Sequence, residues 1–215
     1  FAVNGGEQHD QSWHAMLVEP EAPSLDWKKQ AKGTLAGEDV EQFAKWTDRW
    51  GRDREDFPGF VTNVRRASID KPAVWQWKSG LPEGDTLNLH VVPTDGAMEA
   101  IMGSGRSPVR ENLEYLLLRR HVKDGGRSSY VTVLDAFDKE PVVKSVRLVS
   151  NAPVVLEVVR SDGKDLITLN IPEGPSLTTK HRAIGVAVRS ETNGKVTRDV
   201  KIGSVGENDG PGHAK

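Results

Sequence analysis

The stretch 111–137, ENLEYLLLRRHVKDGGRSSYVTVLDAF, constrains the fold more than any other part of the chain. Two apolar runs, 113–118 and 130–134, flank a polar segment, 123–129, that carries Gly125 and Gly126. Tyr, Val and Leu favour extended backbone and the glycine pair interrupts it, so the pattern predicts a long β-hairpin. Both arms are nearly continuous in apolar residues. Such strands sit in a sheet covered on both faces or in a two-sheet sandwich. The expectation is a large antiparallel β-structure with this hairpin at its centre.

The rest of the chain extends that pattern. Residues 1–4 end a strand, Gly5-Gly6 turn the chain, and 8–17 read as extended. Residues 19–23 are rich in Pro and Ala and read as a loop. The segment 24–57 departs from strand periodicity: Val40, Phe43, Trp46 and Trp50 follow at helical spacing among many charges, which predicts a short helical or irregular excursion lying over the sheet. Further candidate strands are 60–66, 73–77, 86–92, 97–102, 113–121, 129–136, 142–148, 154–160, 166–171, 183–190 and 196–202. Asp162-Gly163 and Asn193-Gly194 are two-residue hairpin signals, because both central positions favour φ > 0. No helical pattern alternates with the strands, which argues against a parallel α/β sheet. The fold class is all-β, a large antiparallel β-sandwich of supersandwich-like size, with one domain over 1–203 and a flexible tail over 204–215.

Composition then limits the partners. The 215 residues carry 29 basic and 31 acidic side chains, a net charge of −2, so no overall field calls for nucleic acid or a membrane surface. No cysteine is present, which removes disulfides and thiolate metal sites. No run approaches the ~20 apolar residues of a membrane helix. The chain opens on Phe1 as if within a strand, which suggests a piece of a longer protein.

Two segments carry a resemblance. Residues 101–149, IMGSGRSPVRENLEYLLLRRHVKDGGRSSYVTVLDAFDKEPVVKSVRLV, resemble the C-terminal β-sandwich of heparinase II/III-like polysaccharide lyases. The opening FAVNGGEQHDQSWH is similar to a strand of those proteins that reads roughly F-R-V-x-G-G-x-x-H-D-[aromatic]-x-x-H. The resemblance implies the last part of an enzyme that joins an N-terminal helical toroid to an antiparallel sandwich, works in the periplasm or outside the cell, and cleaves uronic-acid glycans by β-elimination. That reaction needs a base at C5, a group that neutralises the adjacent carboxylate, and an acid at the leaving oxygen. In the family the acid and base come mostly from the toroid, so no catalytic residue is assigned here. Tyr115 and Tyr130 lie inside apolar runs and read as core. The implied partners are an acidic polysaccharide and the toroid of the same enzyme; the alternative is a non-catalytic carbohydrate-binding or structural sandwich module.

The local candidates are His9, Asp10, His14 and Arg119. On an extended strand Asp10, Ser12 and His14 share one face and His9 the other. His9 and His14 thus cannot share a metal, whereas Asp10 and His14 are the pair left for a divalent ion or a sugar. The bland alternative makes Asp10 a turn cap and His9 a strand tie. Arg119 and Arg120 alternate, so only one of them faces a given ligand, and a guanidinium suits a carboxylate or sulfate. Arg65-Arg66 follow the same rule. Gly103-Ser104-Gly105-Arg106 lacks the Lys and helix of a phosphate loop and reads as a turn. Trp75 and Trp77 share a strand face and read as core beneath a covering segment. His90 points away from Leu87, Leu89 and Val91; His121 and His181 lie near turns.

Overall fold

The computed structural model describes residues 2–16, 18–42, 45–47, 49–55, 57–78, 85–105, 113–123, 126–170 and 185–203. Its strands, in chain order, are β1 (Ala2–Asn4), β2 (Gln8–Met16), β3 (Lys28–Lys29), β4 (Lys45–Thr47), β5 (Asp53–Glu55), β6 (Thr62–Ile69), β7 (Ala73–Lys78), β8 (Thr86–Val92), β9 (Met98–Gly105), β10 (Leu113–His121), β11 (Arg127–Ser129), β12 (Val131–Phe137), β13 (Val143–Asn151), β14 (Val154–Arg160), β15 (Gly163–Asn170), β16 (Gly185–Thr192) and β17 (Lys195–Ile202). Among the described residues the helical content is one 3-10 turn, Phe57–Phe60, and every strand pairing is antiparallel. The fold is all-β, as expected.

Three sheets stack on one another. A five-stranded sheet has the order β2-β10-β9-β6-β3, a three-stranded sheet β12-β8-β7, and a C-terminal meander β13-β14-β15-β16-β17. Leu116, Leu118, Ala100, Met102 and Ile69 on one face of the first sheet close against Trp75, Leu89 and Val91 of the second. The second sheet's other face gives Val92 and Val131 to a separate cluster with Val143, Val146, Val154, Leu156 and Val158 of the meander. The three-stranded sheet is thus the shared middle layer.

The continuous apolar run of β10 is explained by cover on both faces. Leu116 and Leu118 point into the sandwich, while Leu117 points out and packs with Ile101, Val61, Val64 and Leu35 beneath the excursion. The expected hairpin does not form. β10 pairs with β2 and β9, whereas β12 pairs with β8 in the opposite sheet. The link between them explains the split. β11 pairs with β1, and Tyr130 then turns inward, its buried hydroxyl donating to the His9 carbonyl at 2.6 Å. The chain crosses the core there, so each arm lines a different sheet.

The excursion is irregular where described, and the helical spacing of Val40, Trp46 and Trp50 is not realised. Lys45–Thr47 pairs with Asp53–Glu55 instead, and Trp50 sits 63% exposed at the turn between them, with the Arg49 guanidinium 4.1 Å from its ring centre; Phe43 lies outside the described residues. Backbone bonds elsewhere in the segment go to the sheet: Gln30 N–H donates to Val64 O and Leu35 N–H to Val61 O, both at 2.8 Å. Trp27 lies edge-on to Trp75 with ring centres 6.5 Å apart, so the i, i+2 tryptophan pair is packed under this segment as expected.

The two hairpin signals differ. Asn193 and Gly194 have φ of 51° and 73° and form the β16–β17 turn. The β14–β15 turn instead falls at Ser161-Asp162, and Gly163 opens β15 opposite Thr192, where any Cβ would overlap the Glu191 carbonyl. Gly103 and Gly105 are also strand residues, not a turn. An added Cβ would meet the Val61 side chain at 2.6 Å and the Tyr115 ring at 2.6 Å respectively, so they let the excursion and the ring lie close on β9. Arg106, His181, Gly125 and the tail 204–215 lie outside the described residues.

Candidate functional site

The excursion covers only half of the outer face of the five-stranded sheet. The uncovered half forms a groove of about 560 Å³, lined by Lys28, Arg66, Ser68, Glu99, Arg119 and His121 among others. That volume lies within the range of ordinary ligand clefts. Strand alternation places these residues. On β10, Tyr115, Leu117, Arg119 and His121 point outward. Register sets Asp10 and Glu99 on either side of Arg119, Ser68 beyond Glu99, and Lys28 beside Arg66.

The result is a charge ladder running across the strands. Asp10 grips Arg119 with both oxygens: Nε donates to Oδ1 and Nη2 to Oδ2, each at 2.8 Å. This bond raises the Arg119 pKa further above its ordinary value, against the opposing effect of burial. Arg119 Nη1 makes no hydrogen bond to the described residues and is not sealed from solvent. On the next strand Glu99 Oε2 accepts from Arg66 Nη1 at 3.0 Å. Lys28, exposed, has no ionic partner among the described residues. Asp10, Arg119, Glu99 and Ser68 thus form one row across the strands, and Arg66 and Lys28 stand in the next row, with Arg66 reaching diagonally to Glu99.

Of the four residues picked from sequence, Arg119 lines this groove. Asp10 borders it and acts by holding Arg119. His9 lies on the opposite face and is only 3% exposed, with Nδ1 2.8 Å from Ser128 Oγ and Nε2 on the Gly5 carbonyl. With that carbonyl as acceptor, the neutral ring carries its proton on Nε2 and accepts from Ser128. His9 is therefore a tie between β2 and β11 and is not accessible to a glycan, which corrects the expectation. His14 is exposed on the Asp10 face as alternation requires, but its ring stands beside Tyr115, with centres 5.9 Å apart. Four residues of extended strand separate it from Asp10 by about 13 Å. The two side chains thus stand apart with different neighbours, and among the described residues no three His, Asp or Glu side chains gather around a common point.

The second arginine of the pair faces inward, again as alternation requires. Arg120 is 5% exposed and donates from Nη1 to the Asp95 and Gly96 carbonyls, and burial lowers its pKa. His90 is buried on the face of β8 opposite Leu89, and burial lowers its pKa despite Asp135 nearby. Both are structural.

Comparison with family models, curated proteins and solved structures returned no match. The groove must therefore be read from its own chemistry. Sequence reasoning missed Lys28, Ser68, Glu99 and the groove itself, because three distant segments and a loop build it. One signal was visible: Glu99 is the single charge within the apolar run MEAIM.

Proposed function

We propose that this chain is the sandwich portion of a heparinase II/III-like polysaccharide lyase and that its outer groove contacts a uronic-acid glycan. The observation that supports this reading is the groove itself, with Lys28 and Arg66 side by side and Glu99 and Ser68 next to them. Ammonium and guanidinium groups suit a uronate carboxylate, and carboxylate and hydroxyl oxygens accept from sugar hydroxyls. Such cations also neutralise charge on a uronate, one of the three tasks of β-elimination.

The other two tasks fall outside the groove. Tyr130 spends its hydroxyl on the His9 carbonyl inside the core. Tyr115 packs against the Leu117 cluster, and burial raises its pKa, the opposite of what a tyrosine base needs. The acid and base then belong to the helical toroid of the same enzyme, and the protein works in the periplasm or outside the cell.

Titration with hyaluronan, heparin, chondroitin sulfate and alginate, read by calorimetry and by the ultraviolet absorbance of unsaturated uronates, tests this. Binding without turnover is expected, with Lys28→Ala and Arg66→Ala each weakening it by about tenfold. Turnover by this chain alone would move the acid and base back into it. Failure to bind any acidic glycan would end the reading.

A further inference from the structure

We propose that Glu99 is the specificity-determining residue of the groove, selecting glycans in which acidic and uncharged sugars alternate over chains that carry a uronate at every unit. This rests on the glycan reading above.

β6, β9 and β10 are successive neighbours in the sheet, each step about 4.8 Å. An extended pyranose chain laid across them advances by roughly one strand per sugar. Arg66, paired in register with Lys28, forms the first cationic position. Two strands away and two residues out of register with Arg66, about 12 Å in all, Arg119 forms the second, with Nη1 turned away from its Asp10 clasp.

Glu99 stands between them on β9. Arg66 holds its Oε2, and its Oε1 makes no hydrogen bond to the described residues. Its side chain is 32% exposed, so the free oxygen is within reach of a ligand. Ser68 faces it across the β6–β9 pair and is exposed. A sugar over this central position meets a carboxylate and a hydroxyl. Its hydroxyl or amide N–H groups can donate to both. A uronate there would place like charges together, and repulsion of that kind is how a site rejects a near-relative of its ligand. Along the stepped path from Arg66 to Glu99 to Arg119 the positions run cationic, acidic and cationic, so acidic sugars fit the outer two and an uncharged sugar fits the middle.

Arg119 is the more buried cation, and Asp10 offsets part of its charge. The Lys28–Arg66 end therefore anchors the chain, while Glu99 sets the phase of the sugars beyond it. Removing the Glu99 charge strengthens all acidic ligands through the field alone, so the ratio between ligands, not the affinity for one, carries the information.

The test compares the binding of the full chain to hyaluronan, whose uronates alternate with an uncharged amino sugar, and to polygalacturonate, which is acidic at every unit. The wild type should favour hyaluronan oligomers by about tenfold or more at matched length. Glu99→Gln, isosteric and uncharged, should bring the two within about threefold, mainly through a gain for polygalacturonate. Should Glu99→Gln fail to fold, Ser68→Asp adds a second negative charge in the same row. It should cost polygalacturonate about tenfold and hyaluronan clearly less. Equal binding of the two glycans by the wild type, or equal shifts in either variant, would overturn the assignment while leaving the glycan reading standing. Absence of binding to both would remove that reading as well.

Discussion

The sandwich formed by residues 2–137 and the meander over 143–202 use similar apolar residues and differ in what covers them. Along β10 both faces are closed, and Leu116, Leu117 and Leu118 are all at most 2% exposed. In the meander one face is covered over β13 and β14, and exposure rises outward: Ile167 and Leu169 of β15 are half-buried, and Ile202 of β17 is 65% exposed. The difference lies in the excursion, which lays Leu35 against Val61 and Leu117 on the outer face of the first sheet. Half-covering a sheet creates a concave edge where the cover stops, and the groove lies at that edge. An open meander face has no such step.

The largest expected contrast is between two leucines. Leu117→Ala should cost roughly 2–5 kcal/mol, because the cavity lies between the sheet and the excursion. Leu166→Ala, at a side chain 39% exposed, should cost under ~1 kcal/mol. Urea unfolding resolves the two regions, since all six tryptophans precede residue 78 and report on the sandwich alone, while circular dichroism reports on every strand. A Leu117→Ala cost near that of Leu166→Ala would mean that the excursion does not seal the face.

The next contrast concerns ion pairs. Asp10 and Arg119 join neighbouring strands with side chains 27% and 9% exposed; Arg147 and Glu157 do the same in the meander at 66% and 22%. Asp10→Ala strands a largely buried guanidinium and should cost about 2–3 kcal/mol. Glu157→Ala releases a solvated one and should cost below ~1 kcal/mol. Similar costs at the two sites would show that the groove floor is as wet as the meander surface.

The same distinction marks what the sequence could reveal. Strand positions follow from local pattern, and the alternation of Arg119 and Arg120 and of Asp10 and His14 was legible because it depends only on extended backbone. Pairing partners were not. The 113–118 and 130–134 runs look like one hairpin until Tyr130 is seen to turn into the core. The covering of Trp75 was anticipated from an i, i+2 aromatic pair. The burial of His9 depends on Ser128, 119 residues away, and no local signal could announce it. The groove draws on Asp26, Lys28 and residues 66–68, 97–99 and 119–121, so only Glu99, a charge in an apolar strand, gave it away.

The smallest effect is a matter of pH. The chain has two tyrosines, Tyr115 and Tyr130, and both belong to the sandwich. Burial, helped by Asp10 and opposed by Arg120, pushes the Tyr130 phenol up to about 12. The folded state keeps this proton while the unfolded chain loses it near pH 10, so the unfolded chain binds fewer protons between those values and stability falls as pH rises. The contribution is therefore full below pH 10 and lost by about 12; its size is on the order of 2 kcal/mol. Tyr130→Phe should cost about 1 kcal/mol at neutral pH, through the bond to the His9 carbonyl. It should also remove most of this alkaline decline, leaving the part due to Tyr115, whose pKa burial also raises. Followed by tryptophan fluorescence, the decline should appear in the wild-type sandwich, while exchange protection of meander amides stays level over the same range. A decline of equal steepness in Tyr130→Phe would show that the phenol is not sealed, and loss of protection in the meander at the same pH would show that the two regions unfold as one.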